Sequence, residues 1–256
     1  SMHARACNIA ARVRASAKVF LLTGGAYTPS GICDALCRCG LGEVSVTVGE
    51  RLSYEDEKLT AGTAASLREA SFDPLSCMLV ENERPVTGVR TGLPDETFLR
   101  GDVPMTKSEV RALILSKLAL SRGSVVYDIG AGTGSVSVEC ALSACDGTVY
   151  AVEKNPEAVT LIRKNAEKFG VPNLIPVEGT APEAMGALPA PTHVFVGGSS
   201  GNLREILAAV CAKNPSARIV ISAVTLETVG EASAGLAALG FMDYEAVAVN
   251  VSRAKK

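Results

Sequence analysis

The sequence is short of the features that mark membrane, secreted, nucleic-acid-binding and metal-holding chains. No uninterrupted apolar run approaches the roughly 20 residues of a membrane span, although 47% of the 256 residues are hydrophobic and 20% are charged. That balance describes a soluble globular protein of the cytoplasm, with no signal peptide ahead of the first strand-like segment. Charge of one sign is lacking too: the formal net charge is −2, which argues against nucleic acid as the main partner. Histidine is confined to His3 and His193, and the eight cysteines, at 7, 33, 37, 39, 77, 140, 145 and 211, include no C-x-x-C pair. Cys33 and Cys37 share a helical face, but without histidines beside them no metal is expected. The thiols read instead as free, mostly buried and reduced.

What is present falls into two blocks, 1–82 and 93–256, joined by a polar linker at 83–92 that contains proline and glycines. The first block alternates a strand at 18–23, a helix at 30–39, a strand at 44–48, a helix at 63–70 and a strand at 77–80. This is an α/β pattern near the lower size limit for burying both faces of a parallel sheet. The second block predicts helices over 106–120, 135–145, 155–169, 201–213 and 226–239. Between them it predicts strands over 124–129, 148–153, 173–178, 193–197, 217–222 and 243–251. Strands alternating with helices in this way specify a Rossmann-like, doubly wound parallel sheet with its ligand at the carboxyl ends of the strands. A single strand after the last helix leaves such a sheet short of its final strand. Ser1 ahead of Met2 reads as an expression remnant, so the chain is expected to be cut at both ends.

The chemistry is concentrated in Asp128-Ile-Gly130-Ala131-Gly132-Thr133-Gly134, which follows an apolar run and is followed by a helix, a second apolar run and Glu153. A strand, a glycine-dense turn, a helix, and an acid about twenty residues on describe a βαβ unit that holds a nucleoside, the acid accepting the ribose hydroxyls. Glycines there let the backbone turn sharply and approach a ligand closely. Ser135 is small enough to keep a dinucleotide fingerprint open, and an unrelated glycine-rich turn is the bland alternative. Asp128 favours another cofactor, since a carboxylate repels a pyrophosphate and suits a cation.

The Asp-x-Gly-x-Gly-x-Gly run resembles the first motif of class I S-adenosylmethionine (SAM) methyltransferases. Gly92-Leu-Pro-Asp-Glu-Thr-Phe98, Val103-Pro-Met-Thr-Lys107-Ser-Glu-Val-Arg111, Gly179-Thr-Ala-Pro-Glu-Ala184, Phe195-Val-Gly-Gly-Ser199 and Ala223-Val-Thr-Leu-Glu-Thr228 then follow in fixed order. Together they resemble the decarboxylating precorrin-6B C15-methyltransferases of cobalamin biosynthesis over residues 92–253. Leu21-Leu-Thr23, Thr28-Pro-Ser30, Val48-Gly-Glu-Arg-Leu52 and Tyr54-Glu-Asp-Glu57 in the first block resemble the carboxyl-terminal half of the tetrapyrrole C5-methyltransferase domain. In some organisms that domain is fused ahead of the C15 enzyme. The alternative class is a SAM methyltransferase acting on RNA or protein, and a third is a remnant that only binds.

The resemblance implies roles residue by residue. Asp128 would orient the charged end of SAM, the loop Gly130, Ala131, Gly132, Thr133 and Gly134 would pack on its methionine part, and Glu153 would hold the ribose. Thr180 and Ala181 would border the adenine, Thr180 standing where similar enzymes often carry Asp. Thr106 would face the cofactor and cap the first helix, with Glu109 completing a capping box. Gly198, Ser199 and Asn202 would border methyl transfer and decarboxylation, and Glu227 would stand at the substrate pocket or simply at a helix start. The tetrapyrrole carries several carboxylates, so Arg100, Lys107, Arg204 and Arg253 form an expected basic rim, while His193 reads as structural. With only half of a C5 domain, the chain is expected to methylate C15 alone. Relatives of the C15 enzyme imply a homo-oligomer such as a tetramer.

Overall fold

The computed structural model describes residues 8–86, 91–241 and 243–254. His3, Cys7 and linker positions 87–90 lie outside the described residues. The chain divides into two compact units, Ser1–Val89 with Ala166–Asn173, and Arg90–Asn165 with Leu174–Lys256. Among the described residues no helix is long and apolar enough to cross a membrane.

The first unit contains α1 (Ile9–Ala15), β1 (Lys18–Leu22), α2 (Pro29–Arg38), β2 (Ser45–Glu50), β3 (Lys58–Thr63), α3 (Ala64–Leu67) and β4 (Ser76–Glu81). Its strands pair in the order β1-β4-β2-β3, antiparallel throughout. This corrects the expectation of a parallel sheet buried on both faces. One face meets the helices through Val13, Ile32, Leu36, Val46, Val48, Met78 and Val80. The opposite face leaves Phe20, Leu22 and Leu59 largely exposed, as the two-residue period of an antiparallel sheet allows. β3 was not anticipated, because Lys58-Leu-Thr-Ala-Gly-Thr63 is poor in β-branched residues. It forms against the free edge of β2, with Val48 opposite Thr60. Thr28 starts α2 by accepting from Gly31 N at 3.2 Å, with Pro29 in the first turn where it lacks no needed donor.

The second unit contains α4 (Ser108–Leu118), β5 (Val125–Ile129), α5 (Ser135–Ser143), β6 (Thr148–Glu153), most of α6 (Pro156–Phe169, of which 166–169 belong to the first unit), β7 (Leu174–Glu178), β8 (His193–Val196), α7 (Leu203–Lys213), β9 (Arg218–Ile221) and α8 (Leu226–Ala238). Its sheet is parallel in the order β7-β6-β5-β8-β9. Val126, Tyr127, Ile129, Val149, Val152, Val194 and Val196 are all buried, as a sheet covered on both faces requires. On one side Leu203, Ile206, Leu207 and Val210 of α7 and Leu236 of α8 close over it.

Two expectations fail here. Residues 243–251 form no strand: their alternating valines supply the propensity, but a strand exists only by pairing, and although β9 ends the sheet, none of the described pairings joins these residues to it. Nor does Thr106 cap α4. Lys107 is the N-cap, without a side-chain cap bond, so Thr106 stands one residue too early to reach the helix N–H groups, and Glu109 turns to Arg253 instead.

Candidate functional site

In the second unit β5 is flanked by β6 on one side and β8 on the other. The chain leaves β5 in one direction and returns to its other edge, and at that reversal the loops diverge and open a crevice beyond the strand ends. The 130–134 loop occupies this point. Gly130 N and Ala131 N donate to the Val152 carbonyl at 3.0 and 3.2 Å, while Gly197 N and Gly198 N donate to the Ile129 carbonyl at 2.9 and 3.2 Å. Both neighbouring strands therefore grip the turn.

The three glycines of the loop have φ of 71°, 56° and 75°, a region that costs other residues about 1–2 kcal/mol. Each also meets a different part of the protein. A Cβ on Gly130 would lie 2.6 Å from the Gly198 carbonyl oxygen, on Gly132 2.9 Å from that of Pro104, and on Gly134 2.9 Å from Ile162 Cγ1. The missing side chains thus let the β8 loop, the 103–104 segment and α6 close on the turn, a packing role beyond the ligand approach read from the sequence. Gly132→Ala is expected to destabilise the protein by about 1–3 kcal/mol. Denaturant unfolding with an unchanged midpoint would contradict that.

The two acids lie at adjacent strand ends and differ in surroundings. Asp128 is fully buried; Ser137 Oγ donates to its Oδ2, and its Oδ1 has no hydrogen-bond partner. Burial, reinforced by the charge of Glu153, pushes its pKa up to about 7. Glu153 is half-buried. Its Oε2 accepts from Gly132 N at 2.9 Å and its Oε1 from Asn155 N at 3.0 Å. A carboxylate oxygen has two lone pairs, so each keeps one for a further donor.

Two of the remaining expected residues, Asn202 and Thr106, change role. Thr180 is exposed just after β7, and Ala181 is buried beside it. Asn202 Nδ2 donates to the Ala181 carbonyl at 3.2 Å, so this amide joins the loops after β7 and β8 rather than standing free for chemistry. Gly198 is exposed and Ser199 half-exposed. Lys154 Nζ donates to Ser200 Oγ at 2.9 Å, linking the loops after the two strands that flank β5. Thr106 offers its carbonyl, not its hydroxyl, to Arg111. Two cations of the expected rim are engaged: Arg253 grips Glu109 through 2.8 and 2.6 Å bonds and holds its carboxyl down at about 2, and Lys107 Nζ lies 3.8 Å from Asp95. Arg100 and Arg204 are exposed. Glu227 lies in the first turn of α8.

Three of the buried polar residues that the sequence reading did not single out tie whole segments together. Arg111 of α4 is fully buried; its Nε donates to Glu139 Oε1 at 2.8 Å and its Nη1 to Asp95 Oδ1 at 2.9 Å, and it also donates to the carbonyls of Leu93 and Thr106. Its guanidinium lies 4.7 Å over the Phe98 ring. Glu139, equally buried, accepts from Gly92 N at 2.7 Å and Leu93 N at 3.0 Å. Together they pin the 92–98 motif to α4 and α5. The signal was a lone acid in a helix of small and apolar residues, which demands a buried partner. Asn165 is the third.

A buried carboxylate oxygen without a partner and a second carboxylate with lone pairs to spare form an anionic, hydrogen-bond-accepting set that fits SAM. Its sulfonium and ammonium suit the acids, and its ribose hydroxyls can donate to Glu153. The family model for the precorrin methyltransferase domain matches residues 97–255. A protein of Pyrobaculum calidifontis named "Probable cobalt-precorrin-6B C(15)-methyltransferase (decarboxylating)" is 46% identical over 168 residues, 64% of this chain and 86% of the relative. A Sinorhizobium precorrin-6Y C(5,15)-methyltransferase [decarboxylating] is 34% identical over 233 residues, 89% of this chain; the match spans 56% of that longer protein. The crystal structure of precorrin-6Y C5,15-methyltransferase from Geobacter metallireducens superposes with a TM-score of 0.56 at 43% identity, covering 58% of this chain and 79% of the other. On this evidence the chain belongs to the precorrin methyltransferase domain family.

Proposed function

We propose that this protein transfers a methyl group from SAM to C15 of a precorrin and releases the C12 acetate carboxyl as carbon dioxide, a step of cobalamin biosynthesis carried out in the cytoplasm. The observation that carries the reading is the pair of carboxylates at the β5–β6 strand ends, beside the reversal point of a sheet whose chain belongs to this family. When bound, SAM supplies an electrophilic methyl on a sulfonium. The glycine loop borders its methionine part, Glu153 accepts the ribose hydroxyls, Thr180 and Ala181 line the adenine, and Asn202 steadies that wall through the Ala181 carbonyl. The electron-rich ring is its own nucleophile, so positioning by these groups supplies most of the acceleration. Gly198 and Ser199 face the reacting ring, with the acetate carboxylate ionised so that its bonding electrons pass into the ring as carbon dioxide departs. The first unit corresponds to half of a C5-methyltransferase domain, and the chain methylates C15 only.

Transfer of label from methyl-labelled SAM separates acceptor classes. Label is expected in a precorrin-6B-type tetrapyrrole and not in RNA or protein; the reverse would refute the assignment. Glu153→Gln replaces charge-assisted bonds by neutral ones and is expected to weaken SAM binding by about 1–3 kcal/mol. Titration calorimetry showing unchanged affinity, or equal binding of NAD and SAM, would count against the site.

A further inference from the structure

Asn165 lies on the buried face of α6, in line with Ala158, Val159 and Ile162, and has no exposed surface. A polar side chain on such a face costs stability unless its hydrogen bonds are made. Here its Oδ1 accepts from Leu99 N at 2.9 Å, and its Nδ2 donates to the Leu99 carbonyl at 2.8 Å and the Thr133 carbonyl at 2.9 Å. Only a carboxamide offers one acceptor and two donors at so short a reach. The two backbone sites it joins belong to segments that also meet elsewhere: Thr133 lies between Gly132 and Gly134, and Leu99 leads to Val103 and Pro104, whose carbonyl takes the space a Gly132 side chain would need. Ile162, one turn earlier on α6, packs where a Gly134 side chain would stand.

We infer that Asn165 is a positioning residue for the cofactor: by tying the Thr133 carbonyl to both backbone polar groups of Leu99, it sets the distance between the glycine loop and the 99–104 segment. The inference rests on the SAM reading of the loop. Fixing both segments before the ligand arrives removes an ordering cost from binding, so the contribution of Asn165 is read in affinity although it does not touch the cofactor. Ordering the loop also holds Gly132 N on Glu153 Oε2, which keeps the ribose acceptor aimed.

The test uses the full chain and SAM itself. Asn165→Leu removes all three bonds at similar volume. Asn165→Asp keeps the acceptor but turns a carboxylate toward two carbonyls, and protonation returns one donor. Both variants are expected to raise the Kd for SAM at pH 8 by tenfold or more over the unaltered chain, and as the pH falls toward 5 the ratio to the unaltered chain at the same pH is expected to shrink for the Asp variant alone, a rescue that neither loss of packing nor protonation of Asp128, common to all three proteins, would produce. In the unaltered chain SAM is expected to slow hydrogen exchange at the Leu99 amide, and this measurement stands even if a variant fails to fold. Affinities within twofold of the parent, or a Leu99 amide indifferent to SAM, would overturn the inference and leave the cofactor assignment intact. An unaltered chain that does not bind SAM would overturn the cofactor assignment itself.

Discussion

Arg111→Ala is expected to cost the second unit about 3–5 kcal/mol, the penalty for leaving a buried charge without its partner. Glu139 would keep its bonds to Gly92 N and Leu93 N but lose the guanidinium, while Asp95, the carbonyls of Leu93 and Thr106 and the Phe98 ring would lose it as well. Domains are stable by roughly 5–15 kcal/mol, so the loss is a large share of the whole. Replacing both members, Arg111→Met with Glu139→Leu, should recover part of the loss, because the fully buried Glu139 carboxylate is then gone and Asp95 keeps Lys107 at 3.8 Å and Arg253 at 3.5 Å. Urea unfolding checks both: a loss below about 1 kcal/mol in the single variant would show that the network is not holding the 92–98 segment.

Asp128→Asn is expected to change how stability depends on pH. The folded-state pKa of Asp128 is raised to about 7, whereas in the unfolded chain it falls near 3.9. Between these values the unfolded chain has released a proton that the folded one retains, so raising the pH favours unfolding across that window, by about 4 kcal/mol in all, and no further above pH 7. Below pH 4 the carboxyl is neutral in both states and the penalty vanishes. Asparagine cannot ionise and can still accept from Ser137, so the variant should be more stable than the parent at pH 8 and lack this slope. Its SAM affinity should fall, since the carboxylate under the loop favours a cation. A parent and variant with parallel stability curves between pH 4 and 8 would show that Asp128 does not titrate as its burial implies.

The parts legible in the sequence were those whose signal is local. Asp128, the glycines and Glu153 fall within one βαβ unit, where spacing along the chain nearly equals spacing in the fold, and the ordered motifs from Gly92 to Thr228 carried the family. Strand direction in the first unit was not legible, because it depends on which strands pair: the same segments at 18–22, 45–50 and 76–81 suit either direction until β3 supplies the hairpin partner of β2. Tyr244 to Val251 shows the reverse failure, a good strand pattern with no pairing. Nothing in the sequence around Arg111 or Asn165 marks them as buried, and only the packing of α4 and α6 against the 92–104 segment shows them to be anchors.

The most direct measurement is the mass change of a precorrin-6B-type substrate incubated with this chain and methyl-labelled SAM. The expected product carries one labelled methyl and one carbon dioxide fewer, both changes lost together when SAM is withheld. A product with no label, with label but no loss of carbon dioxide, or with two labelled methyls would contradict it.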